Sequence, residues 1–389
     1  MDRQYDAIVL GAGAAGLMCA IEAGKRGRRV LVLERADRIG KKILISGGGR
    51  CNFTNLHAGP ENFLSSNIHF AKSALARYTP ADFVRLVEKN RIAYHEKKLG
   101  QLFCDGSAQE ITDMLARECQ TVSVEIQLNT KLTEVRKDDS FTVLSESATF
   151  HAPRMVVATG GLSIAKIGAT SFGYDLARQF GLKIQAPRPA LVPLAFGDRD
   201  RKRWCGLAGV SCEVIASTDS RMQSFQEKML FTHRGISGPA ILQISSYWNG
   251  TTPIHLDLAP NRALSAELRV HGRRDPATWK ALLREILPRR LADRWLEIHP
   301  VSANSDHAFA QAERQLHAWS VVPESTEGYG KAEVTAGGVD TGELSAQTME
   351  CRKVPGLFFV GEVVDVTGQL GGFNFQWAWT SGFSAGQAI

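Results

Sequence analysis

Nowhere in the 389 residues does an uninterrupted apolar run approach the roughly 20 residues that a membrane-spanning helix needs. The N-terminus sets Asp2, Arg3 and Asp6 around one short apolar stretch, which is neither the basic start nor the long apolar core of a secretory leader. The seven cysteines, Cys19, Cys51, Cys104, Cys119, Cys205, Cys212 and Cys351, are odd in number and never form a C-x-x-C pair. That excludes the usual dithiol redox centre and any recognisable zinc site. There is no internal repeat and no low-complexity tract, which argues against solenoids and disordered interaction tails. Neither sign of charge dominates: 46 Lys and Arg against 40 Asp and Glu leave +6, a balance that permits a polyanionic partner without demanding one. These absences predict a globular cytoplasmic protein with free thiols, no metal and no membrane.

What is present begins at Tyr5. Tyr5 to Leu10 reads as a buried strand, Gly11, Ala12, Gly13, Ala14, Ala15 and Gly16 follow at once, and Glu34 closes a second strand over Arg29 to Leu33. Gly11 permits the tight turn from strand to helix, Gly13 lets the backbone approach a pyrophosphate, and Gly16 lets helix and strand pack closely. The helix N-terminus offers free N–H groups and a positive dipole end to the phosphates, and Glu34 falls where a carboxylate can accept both ribose hydroxyls. A lone G-x-G-x-x-G arises by chance in glycine-rich loops; strand, turn, helix, second strand and acid in order are far more specific. A dinucleotide is expected here. No second complete fingerprint is visible, so a second dinucleotide would have to dock transiently or against the first.

Beyond this unit, Lys41 to Asn55 is too rich in glycine for regular structure. Helical periodicity returns over residues 68–90 and 108–119, and strands are expected near 125–128, 132–136 and 141–145. Met155-Val-Val-Ala-Thr-Gly-Gly161 reads as a buried parallel strand ending in a glycine turn. From about Leu191 the pattern changes to short alternating stretches, then a polar helical run with many arginines, which predicts an inserted domain, part β and part α. The expected organisation is a nucleotide domain over 1–190, an inserted substrate domain over 191–332 and a return to the nucleotide domain over 333–389. Val360-Gly361-Glu362, followed by Gly371-Gly372 and an apolar helix from Gln376 to Gly386, is what two-piece flavoproteins use to bring the far end of the chain back to the cofactor. That favours FAD over NAD.

Ser46-Gly-Gly-Gly-Arg-Cys-Asn-Phe-Thr-Asn55, Ala158-Thr-Gly-Gly-Leu-Ser163, Thr232-His-Arg-Gly-Ile-Ser-Gly-Pro-Ala240, Glu333-Val-Thr-Ala-Gly-Gly-Val339 and Gly371-Gly-Phe-Asn-Phe-Gln-Trp-Ala-Trp379 resemble the signatures of the BaiN/RdsA (YhiN) flavoproteins over essentially the whole chain. Asn67-Ile-His-Phe-Ala-Lys-Ser-Ala-Leu-Ala-Arg-Tyr78, His95-Glu-Lys-Lys-Leu-Gly-Gln-Leu-Phe-Cys-Asp105 and Gln243-Ile-Ser-Ser-Tyr-Trp248 are most similar to the proteobacterial RdsA branch. The resemblance implies an α/β fold: a Rossmann-like FAD flavoprotein of two dinucleotide-binding domains, with an inserted β-barrel-like domain and a small helical cap. It implies reduction of a uridine of 23S rRNA, or of its assembly precursor, to dihydrouridine, with NADPH or NADH as electron donor. The alternatives are a small-molecule flavoenzyme, either a conjugated-enone reductase or an amine oxidase, and a non-catalytic flavin-bearing RNA-binding factor. Ser163-Ile-Ala-Lys-Ile-Gly168 and Thr335-Ala-Gly337 depart modestly from the family pattern and bear on substrate contacts.

The residues expected to hold FAD are Gly11, Gly13, Ala14, Ala15, Gly16, Glu34 and Arg35; Lys41, Lys42, Ser46, Gly47, Gly48, Gly49, Arg50, Cys51 and Asn52 around the glycine loop; Leu132; Thr159, Gly160 and Gly161; and Gly361, Glu362, Asp365, Gly371, Gly372, Phe373 and Asn374. An enone and a uracil share a C=C conjugated to a carbonyl, so hydride addition needs donors for the carbonyl oxygen and an acid for the other carbon. Candidate donors are the N–H groups of Gly47, Gly48 and Gly49, the Arg50 guanidinium and Asn374, each of which has a bland alternative as a phosphate wrap, a loop brace or a helix cap. Candidate acids are Cys104, Cys51 and His233, against which stand burial, packing and turn stabilisation. For RNA, Arg199, Arg201, Lys202 and Arg203 with Trp204, and Arg269, Arg273 and Arg274 with Trp279, combine cations with stacking surfaces, or are simply solvated faces.

Overall fold

The computed structural model describes residues 2–219, 223–270 and 275–389, and Arg273 and Arg274 of the second basic cluster lie outside them. The chain divides into two compact units, Met1–Arg188 with Val334–Ile389, and Pro189–Glu333.

The first unit is built on a five-stranded parallel sheet in the order Leu357–Phe359, Arg154–Val157, Ala7–Leu10, Val30–Leu33, Glu125–Gln127. Ala7–Leu10 and Val30–Leu33 are unbroken apolar runs buried at every position, the pattern of a parallel sheet covered on both faces. Helix Ala14–Lys25 follows the central strand. Helix Phe373–Ala388 lies along it so closely that a Cβ on Gly382 would stand 2.3 Å from the Ala15 carbonyl oxygen, and one on Gly386 would stand 2.6 Å from that of Cys19. The last sixteen-residue helix thereby docks on the first.

Two sequence expectations need correction here. Lys41 to Asn55 is not irregular throughout: it holds helix Lys41–Ile45, a 3-10 turn over Ser46–Gly48 and strand Asn52–Asn55. The strand exists because Gln101–Cys104, distant in sequence, supplies its antiparallel partner, with Tyr94–Glu96 beyond. The helical pattern over 68–90 splits into Phe70–Arg77 and Pro80–Lys89. Pro80 has no N–H to continue the first helix and suits the first position of the second, and the Asp82 carboxylate accepts the Thr79 N–H at 2.7 Å.

The second unit carries a seven-stranded antiparallel sheet in the order Trp319–Val321, Ile254–Asp257, Ser211–Thr218, Ser224–Phe231, Gly235–Ser237, Leu194–Ala195, Ser325–Thr326. Its two edge strands are consecutive in the chain and only Val322, Pro323 and Glu324 lie between them. A three-residue link spans about 10–14 Å, so the sheet must curl on itself into a barrel-like form. Helices Pro239–Ser245, Leu264–Val270, Pro276–Ile286, Arg289–Ile298 and Asp306–His317 pack with it. Trp204, Trp279 and Trp295 are 3%, 1% and 2% exposed, and the rings of Trp204 and Trp319 lie 4.8 Å apart. Trp204 and Trp279 are therefore core residues, not the stacking surfaces that their arginine neighbours suggest.

Candidate dinucleotide site

Gly11 leaves the central strand at φ +110°, with its Cβ direction blocked by the Ala158 carbonyl oxygen at 2.5 Å. A Cβ on Gly16 would sit 2.0 Å from the Gly11 carbonyl oxygen, so helix and turn touch backbone to backbone. Gly13, the residue before helix Ala14–Lys25, faces open space, and Ala14 and Ala15 form the buried first turn. A phosphate could approach the N-terminal N–H groups without meeting a side chain. The Glu34 carboxylate accepts from Ala12 N–H at 2.7 Å and from Ala36 N–H at 2.8 Å, one bond per oxygen. Each oxygen keeps a lone pair for a ribose hydroxyl. The turn, open helix end and fixed acid fit a dinucleotide.

The far end of the chain meets this turn. Gly361 donates its N–H to Ser381 Oγ at 2.9 Å and accepts from Trp377 Nε1 at 3.1 Å, and its Cβ direction points at Ala15. Lys42 Nζ lies 2.5 Å from Glu362 Oε2 and 2.8 Å from Ser163 Oγ; Glu362 Oε1 accepts from Ser163 Oγ at 3.0 Å and from Thr335 N–H at 2.9 Å. Lys42 and Glu362 thus hold each other, with Ser163 and Thr335, which the sequence marked only as departures bearing on substrate contacts, as their partners. Thr335 Oγ1 also accepts from Leu162 N–H at 2.8 Å, fixing the turn after Gly160 and Gly161. Thr159 Oγ1 is buried and has no partner among the described residues, a polar atom left for something else to satisfy.

Gly47, Gly48 and Gly49 all have positive φ, and Arg50 after them is exposed. The Asn52 amide, oriented to satisfy its neighbours, accepts from Gly372 N–H and donates to the Leu102 and Thr54 carbonyls, each at 3.2 Å. This joins the glycine loop to the start of the last helix, where Gly371 and Gly372 have φ +119° and +96° and Phe373 packs on Phe63. Asn55, unremarked in the sequence beyond its motif, donates to the carbonyls of both Gly371 and Leu99.

Other candidates sit differently. Asn374 spends both amide hydrogens on the Gly368 and Gln369 carbonyls at 2.9 and 3.2 Å and accepts from Gly368 N–H, so it locks a turn and has no donor to offer an enolate. Lys41 pairs with Asp37 at 2.9 Å on the surface, and Arg35 is exposed. Ser46 Oγ donates to the Ile43 carbonyl, and Leu132 is a half-buried strand residue. Asp365 accepts from Ser66 N–H at 2.8 Å, and burial pushes its carboxyl above the usual range. His233 is an exposed residue of the second unit, in the tight turn where Thr232 N–H bonds the Gly235 carbonyl.

Cys51 and Cys104 are both wholly buried. Burial pushes the Cys104 thiol up to about 12, reinforced by Glu110 and Asp105, and raises Cys51 against the opposing hydrogen bond from Ser46. Both keep their protons at neutral pH, as a general acid must, but neither presents its sulfur to solvent. Of the seven thiols only Cys205 is partly exposed. Native protein is therefore expected to lose one thiol to iodoacetamide well before the other six, followed by mass mapping; early labelling of Cys104 would show that its cover opens.

Among the described residues no helix is long and apolar enough to cross a membrane, and no cluster of His, Cys, Asp or Glu could hold a metal. A family model described as the HI0933-like protein Rossmann domain matches residues 5–388. The chain is 47% identical to the ribosomal RNA dihydrouridine synthase of Escherichia coli over 100% of this chain and 98% of that one. It is 44% identical to the Haemophilus influenzae enzyme of the same name, over 100% and 99%. It is 30% identical to the 3-dehydro-bile acid delta(4,6)-reductase of Clostridium scindens, over 98% of both chains.

Proposed function

Because the chain belongs to the HI0933-like family of Rossmann-domain proteins, we propose that it is an FAD-dependent oxidoreductase that reduces a uridine of 23S rRNA to dihydrouridine. The observation that carries this reading is the 47% identity, end to end, to an enzyme named for that reaction. The cradle supports the cofactor: an open helix N-terminus at Gly13 for the pyrophosphate, Glu34 for the ribose, and the Gly361 and Gly371-Gly372 turns brought against it by the last helix. When bound, FAD supplies the hydride for C6 of the uracil ring, and NADPH or NADH, docking transiently, is the proposed source of electrons.

The chain's own share is position and charge. With Asn374 committed to its turn, the exposed guanidinium of Arg50 is the side chain of the glycine loop able to donate to the pyrimidine carbonyl oxygen as negative charge gathers there. The Lys42–Glu362–Ser163 cluster holds the far-end turn in register with that loop. The Cys51 and Cys104 thiols, though protonated, need access before either can deliver a proton to C5. A uridine inside folded RNA must be drawn out of its stack first, which is easier in naked or partly assembled rRNA than in a finished subunit.

The test is genetic and then biochemical. Mapping 23S rRNA from a strain lacking the gene should show one dihydrouridine missing, and purified protein with NADPH should restore it on that RNA; unchanged rRNA would sink the proposal. The 30% identity to a bile-acid reductase favours a second reading, a small-molecule enone reductase. It predicts NADPH consumption with a 3-oxo-4-ene steroid and none with rRNA.

A further inference from the structure

The hairpin that joins strand Tyr94–Glu96 to strand Gln101–Cys104 ends in Lys97, Lys98, Leu99 and Gly100. Leu99 is 62% exposed and holds φ +51°, a backbone region that L residues enter at a cost, before Gly100 at φ +75°. A bulky apolar side chain in that conformation persists only where its surroundings over-determine it, and here they do. Gly100 N–H donates to Glu96 Oε1 at 2.9 Å, Lys97 N–H to the Gln101 carbonyl at 3.0 Å, and Leu56 N–H to the Gly100 carbonyl at 2.8 Å. The exposed Leu99 is thus a fixed projection.

Its distance from the candidate site is fixed as well. The buried amide of Asn55 donates to the Leu99 carbonyl at 3.0 Å and to the Gly371 carbonyl at 2.9 Å, so one side chain spans from the hairpin tip to the turn that opens the last helix. Phe103 gives a second link, since its ring lies 2.8 Å from where a Cβ on Gly47 would sit and 5.2 Å from Lys97 Nζ. Lys97 and Lys98 are exposed beside Leu99, with Leu56 and His57 exposed nearby and Glu96 turned to the Gly100 N–H, so an apolar point rises next to two lysines.

Resting on the rRNA reading above, we propose that this tip is a wedge: Leu99 enters the RNA stack at the place vacated by the extruded uridine, and Lys97 and Lys98 hold the flanking phosphates. Drawing a base into the site leaves a gap between its neighbours, and aliphatic side chains on rigid loops are what other nucleic-acid proteins insert into such gaps. Lysines beside the wedge match the phosphates on either side of the gap. Among the described residues no Trp, Tyr or Phe is exposed, so an aliphatic wedge, not an aromatic platform, meets the bases. The tie through Asn55 sets the wedge a fixed reach from the site, and that selects the one uridine able to enter while Leu99 fills its place.

The experiment measures dihydrouridine formation on 23S rRNA from the deletion strain with wild type, Leu99→Ala and Leu99→Phe holoenzymes. Leu99→Ala should lower kcat/KM by about tenfold or more, and Leu99→Phe, which also fills a gap between bases, should stay within about threefold of wild type. Flavin content and reduction of bound flavin by NADPH should be the same in all three, because the Leu99 side chain is exposed and is not among the residues expected to hold FAD, and the tie to Gly371 runs through its backbone carbonyl. Replacing Lys97 and Lys98 together with alanine should make the negative slope of log kcat/KM against log salt shallower by about one to two. Leu99→Ala within about twofold of wild type, or Leu99→Phe as impaired as Leu99→Ala, would overturn the wedge. A wild type that forms no dihydrouridine at all would instead overturn the proposed function.

Discussion

Purified Gly13→Glu protein should be folded and colourless. Gly13 has an ordinary extended φ of −83°, and among the described residues nothing lies within 4 Å of where its Cβ would be, so a side chain can start there without displacing the backbone. Gly16 is the contrasting case: a Cβ there would lie 2.0 Å from a carbonyl oxygen, and any substitution disrupts the helix-turn contact before it reports on a ligand. A glutamate at residue 13 places a full negative charge at the helix end that should receive a pyrophosphate. Two unit charges about 4 Å apart repel by roughly 4 kcal/mol at a near-surface effective dielectric. With the steric block added, FAD affinity should fall by at least about a thousandfold. Flavin absorbance of the purified protein, fluorescence titration with FAD and urea unfolding of the apoprotein together check the expectation. Unchanged flavin content would remove the dinucleotide from this turn. The same variant also separates catalysis from binding: if it restored the phenotype of a deletion strain, the non-catalytic RNA-binding reading would gain.

How much of this was legible in the sequence depends on where each residue's partner lies. The strand–turn–helix at Gly11 can be read because its parts are contiguous, and both the apolar run and the glycine spacing are local properties. The Asn52–Asn55 strand could not be, since the strand that pairs with it lies some fifty residues on and glycine content argued for a loop. Asn55 and Thr335 are short polar residues that the sequence marks only through family motifs; their roles come from carbonyls and N–H groups on segments that only the fold brings near. Asn374 and Trp204 mislead in the opposite sense. Each has the chemistry of a site residue, and each spends it internally, Asn374 on its own turn and Trp204 in the second unit's core. The helix expected from Gln376 to Gly386 and seen over Phe373–Ala388 reads as apolar, yet Gln376, Thr380 and Ser381 are buried in it. Gln376 accepts from Thr54 Oγ1 at 2.6 Å and donates to the Tyr78 carbonyl at 3.0 Å, bonds that fasten the helix to the strand beside the glycine loop and to the end of helix Phe70–Arg77.

That helix is where the largest loss of stability should be found. Gly382→Val is expected to destabilise the protein by about 3 kcal/mol or more, through forced overpacking against backbone that cannot move aside. The Ala15 carbonyl oxygen stands 2.3 Å from where the new Cβ would be, and it belongs to the helix that opens the candidate site, so relief requires one helix to shift from the other. Such a shift carries the Gly361 turn with it, because Ser381 Oγ and Trp377 Nε1, both on the last helix, hold its N–H and carbonyl. FAD retention should fall together with stability. Ser381→Ala gives the graded comparison: it removes the bond to Gly361 N–H without crowding the helices and should cost about 1 kcal/mol with a smaller loss of flavin. Urea unfolding followed by tryptophan emission, read beside flavin release, tests both. If Gly382→Val matched wild type in stability, the two helices would not approach as closely as Gly382 and Gly386 require. The far end of the chain would then need another route to the fingerprint turn.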